Sequence, residues 1–295
     1  MARVRSASLP HSIRIVTDVT AHLKPELIAR HRITVLPIEI RFGDERFAIS
    51  LTEPQRTRQL FERMATGPIR PATATFSSTA VQEALERLSC ETEDILFILS
   101  SGKLSNGIAK AQAVSRAFMG RCRIAIMDSL STSWGLGLLV EAAAKAAEEG
   151  ASLDAVVRLV RGLLPHIYVI FTVERLDYLE QGGRVGAAQA LLGTMLQIRP
   201  LLLIEDGEVI PMEKVRTRTM ALGKLADFVG EFASVEKVVI LRSPLEDSTE
   251  EMIAELRGLL SEVLPRRQFP VIEYDPVLAC QLGPQAMGVI VYEGR

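Results

Sequence analysis

The chain has 295 residues, of which 48% are hydrophobic and 24% are charged, enough for two globular domains of ordinary size with a buried core. Its formal net charge of −2, with no segment rich in lysine or arginine, argues against a protein that binds nucleic acid or an anionic membrane through a basic surface. Only 5% of the residues are aromatic, which argues against recognition of single strands by base stacking.

The first half of the sequence alternates short apolar runs with amphipathic stretches of helical periodicity. The apolar runs predict strands at residues 13–17, 33–42, 95–99 and 122–127. The amphipathic stretches predict helices at residues 54–65, 79–88, 107–118, 138–149 and 153–164. Strands that alternate with helices in this way favour a doubly wound, mainly parallel sheet covered on both faces.

The second half of the sequence is less regular. Its apolar runs predict strands at residues 167–173, 200–204, 209–215, 238–241, 271–274 and 289–292. Asp206-Gly207 predicts a tight hairpin between two of them, because the favoured two-residue turn requires φ > 0 at both positions. Ser248 and Glu251 have the spacing of a capping box before a helix over residues 252–260. We therefore predict an α/β protein with two α/β domains, residues 1–164 and 165–295, the second with a mixed sheet.

The first half of the sequence contains two hydroxyl-rich segments, and one of them directly follows a predicted strand. Residues 99–107, Leu-Ser-Ser-Gly-Lys-Leu-Ser-Asn-Gly, precede a helix, whose N-terminal N–H groups can bind an anion. The alternative is that Ser105 or Asn106 only caps that helix. Residues 71–78, Pro-Ala-Thr-Ala-Thr-Phe-Ser-Ser, are predicted to be a loop that ends in an N-cap at Ser77 or Ser78. Ligands of open α/β sheets bind beyond the carboxyl ends of the strands, so the loop that follows Leu99 lies where a site is expected.

The residues that usually carry catalysis or bind metals do not group in the sequence. Asp18 and Asp128 end predicted strands and are either metal ligands or caps, and no third carboxylate joins them at a regular spacing. The four histidines do not cluster, and the three cysteines are too far apart for a zinc site or a disulfide framework. Residues 1–9 lack a following apolar segment, and no run approaches the roughly 20 apolar residues that cross a bilayer. We expect a soluble cytoplasmic protein without a metal, a nucleic-acid partner or stable membrane insertion.

Several longer segments occur in a recognisable order along the chain. Residues 15–23 read Ile-Val-Thr-Asp-Val-Thr-Ala-His-Leu, and residues 128–137 read Asp-Ser-Leu-Ser-Thr-Ser-Trp-Gly-Leu-Gly. Residues 176–184 read Leu-Asp-Tyr-Leu-Glu-Gln-Gly-Gly-Arg, and Gly283-Pro284 with Gly288 lies near the end. Taken together, these segments resemble the DegV family over nearly the whole chain.

That resemblance implies a carrier that encloses one long-chain fatty acid between two α/β domains, with no catalysis and no cofactor beyond the lipid itself. The family's carboxylate contacts, a threonine, a Ser-Ser loop and a histidine, map to Thr73, to Ser100 or Ser101, and to Gln281. The family's Gly-Gly-Arg is linked to docking of a fatty acid kinase, which here points to Arg184. The chain departs from the family pattern at Gln281, because glutamine can donate a hydrogen bond but cannot carry charge.

Two other functions are compatible with the same sequence. A small-molecule phosphotransferase would use the loop 100–107 with Asp18 or Asp128 and magnesium. A binder of another amphipathic acid would keep the fold and use the altered position 281. The fatty-acid hypothesis requires an apolar channel for the tail, and this channel must end in hydroxyl and amide groups that form hydrogen bonds with the carboxylate.

Overall fold

The computed structural model describes residues 12–49, 54–174, 177–181, 198–245 and 250–294. The N-terminal half, residues 12–166, contains β1 (Arg14–Asp18), α1 (Pro25–His31), β2 (Thr34–Leu36), β3 (Glu39–Phe42), β4 (Glu45–Ala48), α2 (Pro54–Thr66), β5 (Ala72–Ala74), α3 (Ser78–Leu88), β6 (Asp94–Leu99), α4 (Gly107–Ser115), β7 (Arg123–Asp128), α5 (Ser133–Glu148) and α6 (Leu153–Leu163). Single turns of 3₁₀ helix follow β1, α4 and α6, at Val19–Ala21, Arg116–Phe118 and Leu164–His166.

The C-terminal half, residues 167–294, contains β8 (Ile167–Thr172), α7 (Asp177–Gln181), β9 (Arg199–Glu205), β10 (Glu208–Val215), α8 (Arg218–Gly230), β11 (Lys237–Arg242), α9 (Glu250–Val263), β12 (Val271–Glu273), α10 (Pro276–Leu282) and β13 (Met287–Tyr292). The capping box predicted at Ser248 lies outside the described residues. Within the described ranges, no helix combines the length and the apolar character needed to cross a membrane.

The predicted parallel sheet of the N-terminal half is confirmed. Its strands are ordered β2-β1-β6-β7, and every neighbouring pair is parallel. The central strand β6 is buried along its whole length. Ile95, Phe97 and Leu99 belong to one hydrophobic cluster, and Leu96 and Ile98 belong to another on the opposite face. The alternation of side chains along a strand therefore covers both faces of the sheet with core.

The single strand predicted at residues 33–42 is wrong. The chain divides at Pro37 into β2, which joins the parallel sheet, and β3, which forms a separate antiparallel sheet in the order β4-β3-β5. Proline lacks the N–H that a ladder requires, so the strand cannot continue through this position. The new sheet also includes β5, within a segment predicted to be a loop. Ile40 of β3 lies opposite Thr73 of β5.

The C-terminal half forms a mixed six-stranded sheet in the order β10-β9-β8-β13-β11-β12. The predicted hairpin at Asp206-Gly207 is confirmed, since the two residues have φ of 48° and 81° and β9 pairs antiparallel with β10. The helix α10 was not among the predicted helices. It lies between β12 and β13 in the chain and packs against α2, β3 and β5 of the N-terminal half.

One hydrophobic cluster is shared by the two halves. It includes Phe76 and Phe97 of the N-terminal half and Val169, Leu202 and Tyr274 of the C-terminal half. The strands before residue 164 form the first two sheets and those after it form the third. The domain boundary near Leu164–His166 and the independent folding of the two parts stay predictions.

Candidate ligand-binding site

A cavity of about 270 Å³ lies where α10 of the C-terminal half meets the strand-end loops of the N-terminal half. Polar side chains dominate its wall, and they are joined by four aliphatic ones. The described residues that line it are Thr20, Ile38, Thr73, Thr75, Ser100, Leu104, Ser105, Asn106, Lys110, Thr132, Val277, Leu278 and Gln281. The cavity therefore combines hydrogen-bonding groups with apolar surface, as small-molecule sites do.

Three of the residues assigned to the head-group site come together in this cavity. Thr73 lies on β5, Ser100 directly follows β6, and Gln281 is in the last turn of α10. Leu278 and Val277 lie three and four positions before Gln281, the spacings that place side chains on the same face of a helix, so α10 presents all three to the cavity. Three distant segments of the chain thus supply one site, and the assignment of these residues to a carboxylate stays a prediction.

Ser101 is directed elsewhere. Its side chain is fully buried, and its hydroxyl donates a 2.7 Å hydrogen bond to the carbonyl oxygen of Gly207 at the tip of the β9–β10 hairpin. Its backbone N–H donates to the carbonyl of Ser131. Ser101 is not among the described residues that line the cavity, so the structure separates the two serines that the sequence could not distinguish. Arg184, predicted to dock a partner, lies outside the described residues.

The strand-end aspartates act as caps. Oδ1 of Asp18 accepts hydrogen bonds from the backbone N–H and the hydroxyl of Thr20, and Oδ2 accepts one from the N–H of Ser100 at 2.9 Å. Asp128 accepts from the N–H groups of Gly102 and Leu130 at 3.0 and 2.9 Å. Both carboxylates are engaged in fixing the loops that form the cavity. Within the part of the chain that the structure describes, no cluster of three or more His, Cys, Asp or Glu residues could hold a metal ion.

Sequence reasoning missed several residues of the site. Thr75 lines the cavity, and its hydroxyl is buried without a hydrogen-bond partner among the described residues. Lys110 also lines it, and its Nζ donates a 2.8 Å hydrogen bond to the carbonyl of Phe76. Thr75 belonged to a hydroxyl-rich segment already singled out. Lys110 follows the loop 99–107 by one helical turn, which was the only signal that could have placed it at the site.

The start of α10 is fixed by a buried carboxylate. Asp275 is the N-cap, and its Oδ1 accepts hydrogen bonds from the N–H groups of Val277 and Leu278 at 2.8 and 3.0 Å. Burial raises the pKa of Asp275 to about 6, although the two backbone donors act in the opposite direction. Its Oδ2 is buried and has no hydrogen-bond partner among the described residues. The helix that presents Gln281 is thus anchored by a carboxyl group that burial biases towards its protonated form.

The Gly283-Pro284 turn fixes the other end of α10. The hydroxyl of Tyr274 donates to the carbonyl of Gly283 and accepts from the N–H of Ala286, both at 2.9 Å. The hydroxyl of Ser243 donates to the carbonyl of Pro284. These contacts give the Gly283-Pro284 turn a structural role, because they hold the end of the helix that presents Gln281.

A larger cavity, of about 1020 Å³, lies elsewhere between the two halves. Its wall includes His22 and Trp134 from the N-terminal half and the strand β11 from the C-terminal half. Charged groups of both signs line it, and Arg242 forms ion pairs there with Glu250 and Glu273. It contains none of Thr73, Ser100 and Gln281, so the smaller cavity is the candidate site.

Comparison with known proteins gives matches along nearly the whole chain. Residues 12–294 match a family described as uncharacterised proteins of the DegV family. A DegV domain-containing protein from Deinococcus radiodurans is 31% identical over 280 residues, which cover 94% of this chain and 97% of that protein.

Solved structures show the same fold. A DegV family protein from Thermus thermophilus, described as binding fatty acid, is 28% identical and superposes with a TM-score of 0.82, covering 96% of this chain and 100% of that one. A fatty acid binding DegV family protein from Streptococcus agalactiae, at 24% identity, superposes with a TM-score of 0.84 and covers 96% of this chain and 99% of its own. At 24% identity, the match to the Streptococcus agalactiae protein supports the shared fold only.

Proposed function

Because the chain belongs to the DegV family, we propose that it binds one long-chain fatty acid, with the carboxylate in the cavity beside α10 and the acyl tail buried between the two halves. The observation that carries this proposal is the convergence of Thr73, Ser100 and Gln281 on one cavity. The fatty acid binding described for the similar protein of Thermus thermophilus supports it.

The polar wall suits a carboxylate. A carboxylate that leaves water without hydrogen-bond partners loses several kcal/mol, so a lipid carrier must provide donors at the end of its apolar channel. The hydroxyls of Thr73, Thr75 and Ser100 and the side-chain amide of Gln281 are such donors. Each hydrogen bond to an ionised group contributes about 1.5–3 kcal/mol, enough to fix which end of the lipid faces the loops.

We assign the tail to the contact between α10 and the three-stranded sheet. Ile38, Leu104, Val277 and Leu278 form the apolar part of the cavity wall, and from there α10 packs on β3, β5 and α2. Each CH₂ group buried along this path contributes about 0.8 kcal/mol before the cost of association. In this proposal the tail lies between an N-terminal domain, residues 1–164, and a C-terminal domain, residues 165–295.

The proposed role is that of a cytoplasmic carrier without catalysis, which presents the carboxylate to an ATP-dependent fatty acid kinase that docks at Arg184. The use of Asp18 and Asp128 as caps supports this role over a magnesium-dependent phosphotransferase. Both carboxylates already accept backbone hydrogen bonds.

The proposal is tested on the protein purified from its native expression host. Mass spectrometry of an organic extract should detect a long-chain fatty acid in stoichiometric amount. Delipidated protein should bind oleate, and Thr73→Val should weaken that binding roughly tenfold, the equivalent of one hydrogen bond to a charged group. Thr66→Val is the matched control, because it makes the same chemical change at an exposed residue of α2, whose hydroxyl donates to the carbonyl of Glu62 and which is not among the described residues that line the cavity. Absence of both an extracted lipid and saturable oleate binding would reject the proposal. Extraction of a different amphipathic acid would show that this acid, and not a fatty acid, is the ligand.

A further inference from the structure

The hydrogen-bond donors around the cavity differ in whether their protons are already used in hydrogen bonds within the protein. The hydroxyl proton of Thr20 and the backbone N–H of Ser100 are both directed at the Asp18 carboxylate. Thr20 therefore presents only acceptor lone pairs to the cavity, which do not suit a carboxylate. The side-chain donors that remain on Thr73, Thr75, Ser100 and Gln281 are all neutral groups.

Lys110 is the one charged side chain among the described residues that line the cavity. None of those residues is acidic, and Lys110 makes no salt bridge with an acidic residue that the structure describes. The carboxylate of Asp18, which contacts two of the lining residues, is fully buried and already accepts three hydrogen bonds from Thr20 and Ser100. The residues that line the described wall therefore carry a formal charge of +1, and the Asp18 carboxylate behind them is directed at Thr20 and Ser100 rather than at Lys110.

The ammonium group is also held in place. Lys110 lies in the first turn of α4, and its Nζ donates one hydrogen bond to the carbonyl of Phe76 at 2.8 Å. An ammonium has three donor protons, so two remain for a ligand. The N-terminal end of α4 adds a partial positive charge on the same side, since the helix dipole favours anions there. A fixed cation with unused donors is preorganised for an anionic group.

We infer that Lys110 is the residue that pairs with the ligand's carboxylate and makes the site selective for ionised fatty acids over uncharged lipids with the same tail. The inference rests on the proposed function and adds the charge that Gln281 cannot supply. The hydroxyls and the amide orient the head group, while Lys110 offsets the cost of moving its negative charge out of water.

The test compares oleate with oleyl alcohol, which share a tail and differ in the head group. Calorimetric titration of delipidated wild-type protein should give a preference for oleate of roughly 10- to 100-fold, as a hydrogen bond to a charged group implies. Lys110→Gln should reduce this preference by a similar factor through weaker oleate binding alone. Lys110→Arg should retain most of it. Lys145→Gln removes the same charge from the exposed surface of α5 and should leave both affinities unchanged.

The outcomes separate the two proposals. If wild-type protein does not bind oleate, the proposed function fails and this inference fails with it. If it binds oleate and Lys110→Gln keeps the wild-type preference, only the role of Lys110 is overturned. Circular dichroism verifies that each variant is folded. Equal affinity of the wild-type protein for the two lipids overturns the inference without any variant.

Discussion

Partly buried His22 and buried Asp275 have pKa values displaced in opposite directions. Burial lowers the pKa of His22 from 6.5 to about 4. Burial raises the pKa of Asp275 from 3.8 to about 6, with a smaller contribution from the negative charge of Asp18. Neutral His22 and protonated Asp275 are therefore the forms that the folded protein favours, and the two groups respond to acid in opposite ways.

The first prediction concerns stability between pH 6.5 and 4. As the pH falls through this range, His22 takes up a proton in the unfolded chain before it does so in the folded protein, so His22 makes the protein less stable in acid. Asp275 takes up its proton first in the folded protein, so Asp275 makes the protein more stable in acid. Each shift of more than two pH units corresponds to about 3 kcal/mol. We expect Asp275→Asn to lose about that much free energy of unfolding relative to wild type on acidification, and His22→Asn to gain a similar amount. Urea denaturation at both pH values measures this, and differences that do not change with pH would contradict it.

Some residues of the candidate cavity could be named from the sequence, although their role in binding a carboxylate stays a prediction. Thr73, Ser100 and Gln281 were assigned by family resemblance, and the structure places all three at one cavity. The choice between Ser100 and Ser101 could not be made, because adjacent loop residues have no periodicity that gives their direction. Lys110 was missed because its position depends on how α4 turns towards Phe76, a tertiary contact that no local pattern specifies.

At the level of elements, local rules succeeded where the backbone itself is constrained. Asp206-Gly207 specifies its turn through φ alone, so the hairpin was predictable. The apolar run at residues 33–42 concealed a division at Pro37, although proline inside a predicted strand already argues against continuity. The short elements β5 and α10 are only three and seven residues long, and they depend on packing between the two halves. Periodicity has too few residues there to identify an element.

The hairpin tip supports a second prediction. Gly207 has φ of 81°, and a Cβ at this position would lie 2.4 Å from Oγ of Ser101. Gly207→Ala should therefore destabilise the protein by about 2–4 kcal/mol, through backbone strain and loss of the Ser101 hydrogen bond. Gly223→Ala is the control, since Gly223 lies inside α8 with no atom within 4 Å of the added Cβ. That change should stabilise by roughly 0.4–1 kcal/mol. Thermal denaturation of both variants measures the contrast, and equal effects would contradict the role of the turn.

At the scale of the whole molecule, the site exists only where the two halves meet. The loops come from the parallel sheet, and α10 comes from the C-terminal half. Contacts away from the cavity hold the same arrangement. The hydroxyl of Tyr178 donates to the carbonyl of Met64 at 2.7 Å, and Arg70 forms an ion pair with Asp177 at 3.1 Å. Because one hydrophobic cluster also spans both halves, neither half retains its full core without the other.

This shared core predicts that the protein unfolds in one cooperative transition. Trp134, the only tryptophan, lies on α5 of the N-terminal half and packs against the cluster that both halves share and against a second cluster formed mostly by N-terminal residues. Leu225 is fully buried in α8 within the cluster of the C-terminal half. Leu225→Ala should lower the free energy of unfolding by about 2–5 kcal/mol. If the halves are coupled, urea titrations followed by Trp134 fluorescence and by circular dichroism should coincide and should shift together in the variant. The contradicting result is two separated transitions, in which Leu225→Ala leaves the main change in Trp134 fluorescence unaffected. That result would show that the halves unfold independently and that the cavity between them can open without loss of either fold.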